Sequence, residues 1–242
     1  MGCGRQRSDR GAVVVQFMLL LPLLLSILLL VLQVGLIAQA KLVVNYAAFA
    51  AARSAVVVIP SAVRSSLTGL EEGPNEIAGG ERSAKLAIIR RAAALACAAI
   101  SPPRSAELAA AVGEDEAVLG RAQLEAVALL FSGGSSSAGQ YADRAWYAFA
   151  GDNTTIDVDV ESHPGAGTGG TSYSLVTVTV TYRYFLAAPF ADRLLGTQFE
   201  GAALWGGPYY LPIVERYTLT SEDDLVFPDP SLGDLFEDED VS

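Results

Sequence analysis

The chain has 242 residues, 51% of them apolar and 18% charged, too apolar for a disordered chain and long enough for one modest domain beside a membrane segment. Acidic residues outnumber basic ones 27 to 16, but Glu222, Asp223, Asp224, Asp229, Asp234, Glu237, Asp238, Glu239 and Asp240 crowd into the last 21 residues, where no Lys or Arg stands. Without that tail the formal charge rises from -11 to -2, so the body carries neither the basic footprint of a nucleic-acid binder nor a polybasic surface.

In chain order, Met1 to Gly11 carries Arg5, Arg7 and Arg10 against one Asp9, and Ala12 to Ala40 follows with 29 residues free of charge. About 20 apolar helical residues cross the roughly 30 Å hydrocarbon core, so this stretch predicts a transmembrane helix. The arginines hold the N-terminal end in the cytoplasm and place the remainder outside, which in a bacterium is the periplasm. A removable signal peptide has an apolar core of only about 7 to 15 residues and then a small-x-small cut site. Here the run is about twice as long and passes without a turn signal into Lys41 to Ile59. A myristoylation signal would need Ser or Thr where Gln6 stands. Pro22 predicts a kink within the span.

Past the membrane, Lys41, Asn45, Phe49 and Arg53 are spaced by four and form one narrow stripe on a helix otherwise covered by small apolar residues. Such a surface wants neighbours. An unbroken helix from Ala12 to Ile59 is about 70 Å long and ends where Pro60 stops it.

Residues 61 to 81 are rich in Gly, Ser, Pro and Glu and read as a loop. Ser83 is a candidate N-cap for a helix through Ile100, closed by Pro102 and Pro103. Cys97 lies on that Ala-rich stretch, Cys3 in the polar leader; the pair predicts no disulfide framework, and Cys97 reads as a small buried thiol. A further helix is expected over Ala117 to Phe131, behind the acidic turn Glu114, Asp115 and Glu116. Ser132 to Gly139 reads as a flexible linker.

Strand periodicity then takes over. Ile156, Val158 and Val160 alternate with Asp157, Asp159 and Glu161, and Val176, Val178, Val180 and Tyr182 alternate with Thr177, Thr179, Thr181 and Arg183. With Pro164, Gly165, Gly167, Gly169 and Gly170 between them, the two runs predict an antiparallel hairpin with a long mobile loop, and Ile213 to Thr220 predicts a third strand. The fold class is therefore α+β: a long N-terminal transmembrane helix, then a small periplasmic domain with a few helices and an antiparallel sheet. The expected division is a leader 1-11, a transmembrane and extended helix 12-59, a helical insertion 60-151, a β region 152-221 and the acidic tail 222-242.

Catalytic signals are weak. The single histidine, His163, is expected in the flexible loop, where nothing would hold a general base near a partner. Asp157, Asp159 and Glu161 have the opening spacing of a calcium loop, but Ser162 stands where Gly is needed and Thr168 where the closing Glu belongs. A solvated strand face is the better account. No catalytic, cofactor-binding or metal-binding residue is nominated, no cofactor is implied, and the chain is not expected to be an enzyme.

The residues that remain carry a resemblance. A short basic leader, then Gly11-Ala12-Val13-Val14-Val15-Gln16-Phe17, a Leu-rich helix and Asn45-Tyr46-Ala47-Ala48-Phe49-Ala50-Ala51-Ala52-Arg53-Ser54-Ala55 resemble the TadE-like pseudopilins of tight-adherence (Tad, or Flp) pilus systems. Val176 to Tyr182 with Phe185 to Pro189, and Leu211 to Thr220, look like that family's closing strands. The resemblance implies that a prepilin peptidase cuts between Gly11 and Ala12. Gln16 then occupies the fifth mature position, usually Glu, and Phe17 the aromatic position after it. In pilins that carboxylate is thought to pair with a neighbour's free amine; an amide accepts a hydrogen bond but supplies no countercharge. The departure favours a minor, tip or platform role over the filament shaft. The implied function is a pseudopilin-like component of a Tad-type pilus assembly or secretion apparatus in the inner membrane, with Gln16, Phe17, Asn45 and Arg53 as assembly residues and with the small-residue face from Ala47 to Ala55 packing against other pilin-like helices in and above the membrane. Its implied partners are other pilins or pseudopilins, assembly platform proteins and the prepilin peptidase, with no nucleic acid. The alternative is a single-pass anchored periplasmic binding module unrelated to pili.

Overall fold

The computed structural model describes residues 6–64, 71–73, 77, 83–112, 135–163, 173–187, 191–199 and 208–221. The leader cysteine, the helix expected over 117–131, the loop 164–172 and the acidic tail lie outside these residues.

Helix α1 runs unbroken over Gln6–Val58, about 80 Å at 1.5 Å per residue. It begins ahead of Ala12, inside the expected leader, and continues through Pro22, where the Ser26 hydroxyl donates to the Pro22 carbonyl at 2.8 Å. It ends before Pro60, which disfavours helical backbone at the residue ahead of it. Two bonds from Ser61, backbone N–H and hydroxyl, then close on the Val58 carbonyl at 3.2 and 2.8 Å. A short two-stranded ribbon follows, β1 (Val63–Arg64) against β2 (Glu71–Glu72).

Helix α2 (Ala84–Cys97) starts where the sequence predicts, with the Ser83 side chain accepting from the Leu86 N–H at 3.1 Å, and passes into a 3-10 turn over Ala98–Ile100. After α3 (Ala106–Val112), helix α4 spans Ser135–Phe149. The expected linker at Ser132 to Gly139 is thus corrected: from Ser135 onward it is the first turns of α4. Serines favour loops because their hydroxyls compete for backbone partners, but the apolar face formed by Ala142, Ala145, Trp146 and Phe149 is buried, and that packing overrides composition.

The main sheet is antiparallel, in the order β3-β4-β6-β5, with β3 at Thr154–His163, β4 at Tyr173–Phe185, β5 at Thr197–Gln198 and β6 at Tyr209–Ser221. The predicted hairpin pairs Ile156 with Val180 and Asp157 with Thr179, and the third strand joins it by pairing Val180 with Glu215. His163 ends β3 opposite Tyr173, so it lies on the strand and not in the loop. Alternation sorts the faces. Val176, Val178, Val180 and Tyr182 are buried under the helices, whereas Asp157, Asp159 and Glu161 are exposed. The remaining helix, α5 (Ala191–Leu195), is short and touches both β6 and α1.

The core sits where α1, α2 and α4 cover one face of this sheet. Ala47, Ala48, Ala51, Ala52 and Ala55 of α1 and Ala93, Ala94 and Cys97 of α2 are all fully buried, and small side chains on both helices let their backbones approach closely.

Buried polar groups are satisfied mainly at helix ends. Asn153 Nδ2 and Thr154 Oγ1 donate to the Tyr147 and Ala148 carbonyls of α4 at 2.9 and 2.8 Å. From α2, the Arg90 guanidinium donates to the Thr154 carbonyl at 2.8 Å and to the Gly151 carbonyl. Gly151 has a φ of 46°, the left-handed region that favours glycine, so the α4–β3 turn is held from both sides. Between α2 and the sheet, Ser101 Oγ donates to the Cys97 carbonyl at 3.0 Å, which spends its one hydrogen; Tyr182 must therefore be the donor in its 2.8 Å bond to Ser101.

Candidate functional site

Helix α1 is the one described helix long and apolar enough to cross a membrane. Among the residues whose side chains are described, large apolar groups stand exposed around most of the helix from Val14 to Leu36, enough at about 1.5 Å per residue to cover the roughly 30 Å of a hydrocarbon core. No part of the most apolar window is buried against the rest of the chain. This half of α1 is dressed for lipid.

The other half belongs to the domain. Ala40, Val44, Ala47, Ala48, Ala51, Ala52, Ala55 and Ile59 form one continuous face, each at most 3% exposed, packed on α2, β4 and β6. This corrects the expectation that the small-residue face from Ala47 to Ala55 waits for helices of other subunits. The face does want a neighbour, but the same chain provides it.

The stripe beside that face forms the rim between helix and sheet. Lys41 Nζ lies 3.4 Å from Glu215 Oε1, the Phe49 ring meets Tyr217 edge-on at 5.1 Å, and the Arg53 guanidinium stands 5.8 Å from the Phe49 ring centre. The Lys41 side chain is 68% exposed, so its ion pair contributes little. The aromatic contact fixes the seam more firmly. Glu215 was not singled out from sequence, although a signal existed: it shares the inward parity of Ile213, Tyr217 and Leu219, where a carboxylate is out of place unless something cationic meets it.

Of the six residues nominated from sequence, Gly11 and Ala12 lie in the first turns of α1. Gln16 and Phe17 are exposed on its membrane half, and Asn45 and Arg53 are exposed on its domain half. The structure therefore separates them into two patches on one helix. Beyond the rim, Leu42, Tyr46 and Val57 are also exposed, each at more than 60%.

Two further features bear on chemistry. A cleft of about 230 Å³ is lined by Val112, Asp152, Asn153, Arg183, Phe199 and Tyr210, with Arg183 held 5.3 Å over the Tyr210 ring. Cys97 is buried, and burial pushes its thiol up to about 12. Since the thiolate is the reactive form, Cys97 should resist maleimide in the folded chain through pH 9 and label completely in denaturant. Rapid labelling of the folded protein would overturn that reading. Among the described residues no group of three His, Cys, Asp or Glu is placed to hold a metal ion.

Comparison with known proteins gives a family match. Residues 11–53 fit the family model described as TadE-like protein, a segment that contains all six nominated residues and covers well under half of the chain. The match does not extend to the β region, so the resemblance expected over Val176 to Pro189 and Leu211 to Thr220 has no support from it. No curated protein and no solved structure matches the chain. The greater part of the long helix, from Gly11 through Arg53, is thus similar to the TadE-like family, whose name points to a Tad pilus association.

Proposed function

We propose that the chain is a pseudopilin-like component of a Tad-type pilus assembly or secretion apparatus, anchored once in the inner membrane with its domain in the periplasm, and that it acts by protein contacts and not by catalysis. The observation that carries the reading is the division of α1 within and beyond its TadE-like segment: bare over a membrane length, then locked to a sheet domain. Such a subunit transmits position. What happens to the helix in the membrane is passed rigidly to the domain outside, because the Ala-lined seam leaves no room to slide.

Because the Ala47 to Ala55 face is occupied, contacts with other pilins, pseudopilins or platform proteins fall to the exposed residues: Gln16 and Phe17 in the membrane, Asn45 and Arg53 outside it. A prepilin peptidase would release Ala12 as the mature N-terminus, with Gly11 on the leader side. The test is N-terminal sequencing of the membrane-extracted protein from cells that contain the peptidase. The expected mature chain begins at Ala12, and Gly11→Val leaves the precursor intact. An intact Met1 in the unsubstituted protein, or a cut beyond residue 38, removes the ground for the pilus reading.

The cleft bounded by Asp152, Arg183 and Tyr210 favours a second reading, an anchored periplasmic binding module unrelated to pili. The sequencing result separates the two, since such a module has no need of the Gly11 cut.

A further inference from the structure

Outside α1, the exposed large apolar side chains among the described residues are Leu194, Leu195 and Val214. Two of these are adjacent on α5, with Leu194 at 73% and Leu195 at 38% exposure. Arg193, just before them, is exposed as well. A pair of bare leucines on a five-residue helix that touches α1 raises the question of where along α1 that helix lies.

The contacts of β6 answer it. Glu215 meets Lys41 and Tyr217 meets Phe49, so β6 climbs away from the membrane in the same sense as α1. Its first residues are consequently its lowest. From Glu215 back to Tyr210 the strand descends roughly 17 Å at about 3.4 Å per residue. On α1 that distance leads from Lys41 down to about the level of Leu30 at 1.5 Å per residue. Tyr210 pairs with Thr197, and Tyr209 with Gln198, so α5, which ends at Leu195, lies at this lower end of the domain.

A separate observation agrees on depth. The side of α1 covered by the rest of the chain continues downward through Ile37 to Gln33, which is fully buried, and to half-buried Leu29. The charge-free run begins at Ala12, just after Arg10, and a bilayer core entered there is crossed after about 20 helical residues, which puts its outer boundary near Leu32 and Gln33. The lower end of the domain therefore meets the lipid surface.

We propose that α5 is a second membrane contact, in which Leu194 and Leu195 insert among the lipid headgroups and upper acyl chains beside the span. Arg193 sits at phosphate level, where a long cationic side chain is favoured. A single helix leaves a domain free to tilt and to turn about the helix axis; a second apolar contact off that axis fixes both. The domain then presents a defined face to whatever it meets outside. This inference requires that α1 span the membrane and does not depend on the pilus assignment.

The test uses the full chain with Cys3→Ser, reconstituted in phosphatidylethanolamine and phosphatidylglycerol vesicles and labelled with an environment-sensitive fluorophore at Leu194→Cys, Leu25→Cys or Thr220→Cys in turn. Buried Cys97 does not compete for the label. Leu25 reports the span itself, and Thr220, exposed at the far end of β6, reports the aqueous side. The label at 194 is expected to be quenched several-fold more than that at 220 by lipids carrying a doxyl group near the headgroup, and several-fold less by aqueous iodide. Equal iodide quenching at 194 and 220, with lipid quenching only at 25, overturns the proposal and leaves the span standing. Protection of 194 from both quenchers means that protein covers the leucines, and overturns it too. Loss of lipid quenching at 25 as well as at 194 removes the span along with it.

Discussion

Replacing Ala51 by Phe is expected to destabilise the domain by about 3 kcal/mol, the upper part of the usual range for forcing a large side chain into a packed core. Ala51 is fully buried, and its neighbours on that face, Ala47, Ala48, Ala52 and Ala55, are equally inaccessible. The face packs on α2, whose own buried residues include the equally small Ala93, Ala94 and Cys97, and on β4, whose inward residues are the stiff Val176, Val178 and Val180, so little can swing aside. The helices must separate, and that opens the seam along its length. For a domain of this size the loss corresponds to a fall in Tm of roughly 6 to 12 °C. It should be read on the purified full chain in detergent through the fluorescence of buried Trp146. Val57→Phe is the control: the same helix, a comparable insertion, but 72% exposed, with an expected change within about 0.5 kcal/mol. If Ala51→Phe melts like the unsubstituted protein, the alanine face is not sealed against its own domain and is available to other subunits.

That experiment turns on the point where sequence and structure part. A 3.6-residue pattern of small apolar residues says that a helix face will be buried. It does not say by what, because alanine on alanine looks the same whether the second helix follows in the chain or comes from another molecule. The long helix, the Ser83 cap, the Ile156 to Glu161 and Val176 to Arg183 hairpin and the closing strand at Ile213 to Thr220 were all legible, since each is specified by local periodicity or by one capping bond. Helix α4 was not. Its first turn, Ser135 to Ser137, has the composition of a linker, and only its docked face, through Trp146 and Phe149, makes it a helix. In the site, Gly11, Ala12, Gln16 and Phe17 drew attention through their order along the chain. Glu215 and α5 matter only through the ascent of β6 beside α1, which no local pattern encodes.

Lys85 is the clearest case of a residue whose role is invisible from its neighbours in sequence, and its loss is the second large effect expected. It stands in the first turn of α2, where the helix dipole disfavours a cation, and yet it is fully buried. Its ammonium donates to the Ile59 carbonyl at 2.8 Å and to the Gly73 carbonyl at 2.6 Å. The first of these acceptors follows directly on the last turn of α1, whose final carbonyls lack partners within the helix and where positive charge is favourable. A side chain misplaced for its own helix is therefore well placed for the end of another, and it ties the top of α1 to the start of α2. Lys85→Met keeps much of the volume and removes the donors, leaving the buried Ile59 carbonyl to lose about 1 to 3 kcal/mol and the half-buried Gly73 carbonyl to lose less. A destabilisation of about 3 kcal/mol follows. It should be accompanied by fraying of the last turn of α1, seen as faster amide exchange at Val58 and Ile59 than at Ala51. If exchange at Val58 and Ile59 is unchanged in Lys85→Met while Tm falls, the lysine supports the Gly73 segment and not the end of the long helix.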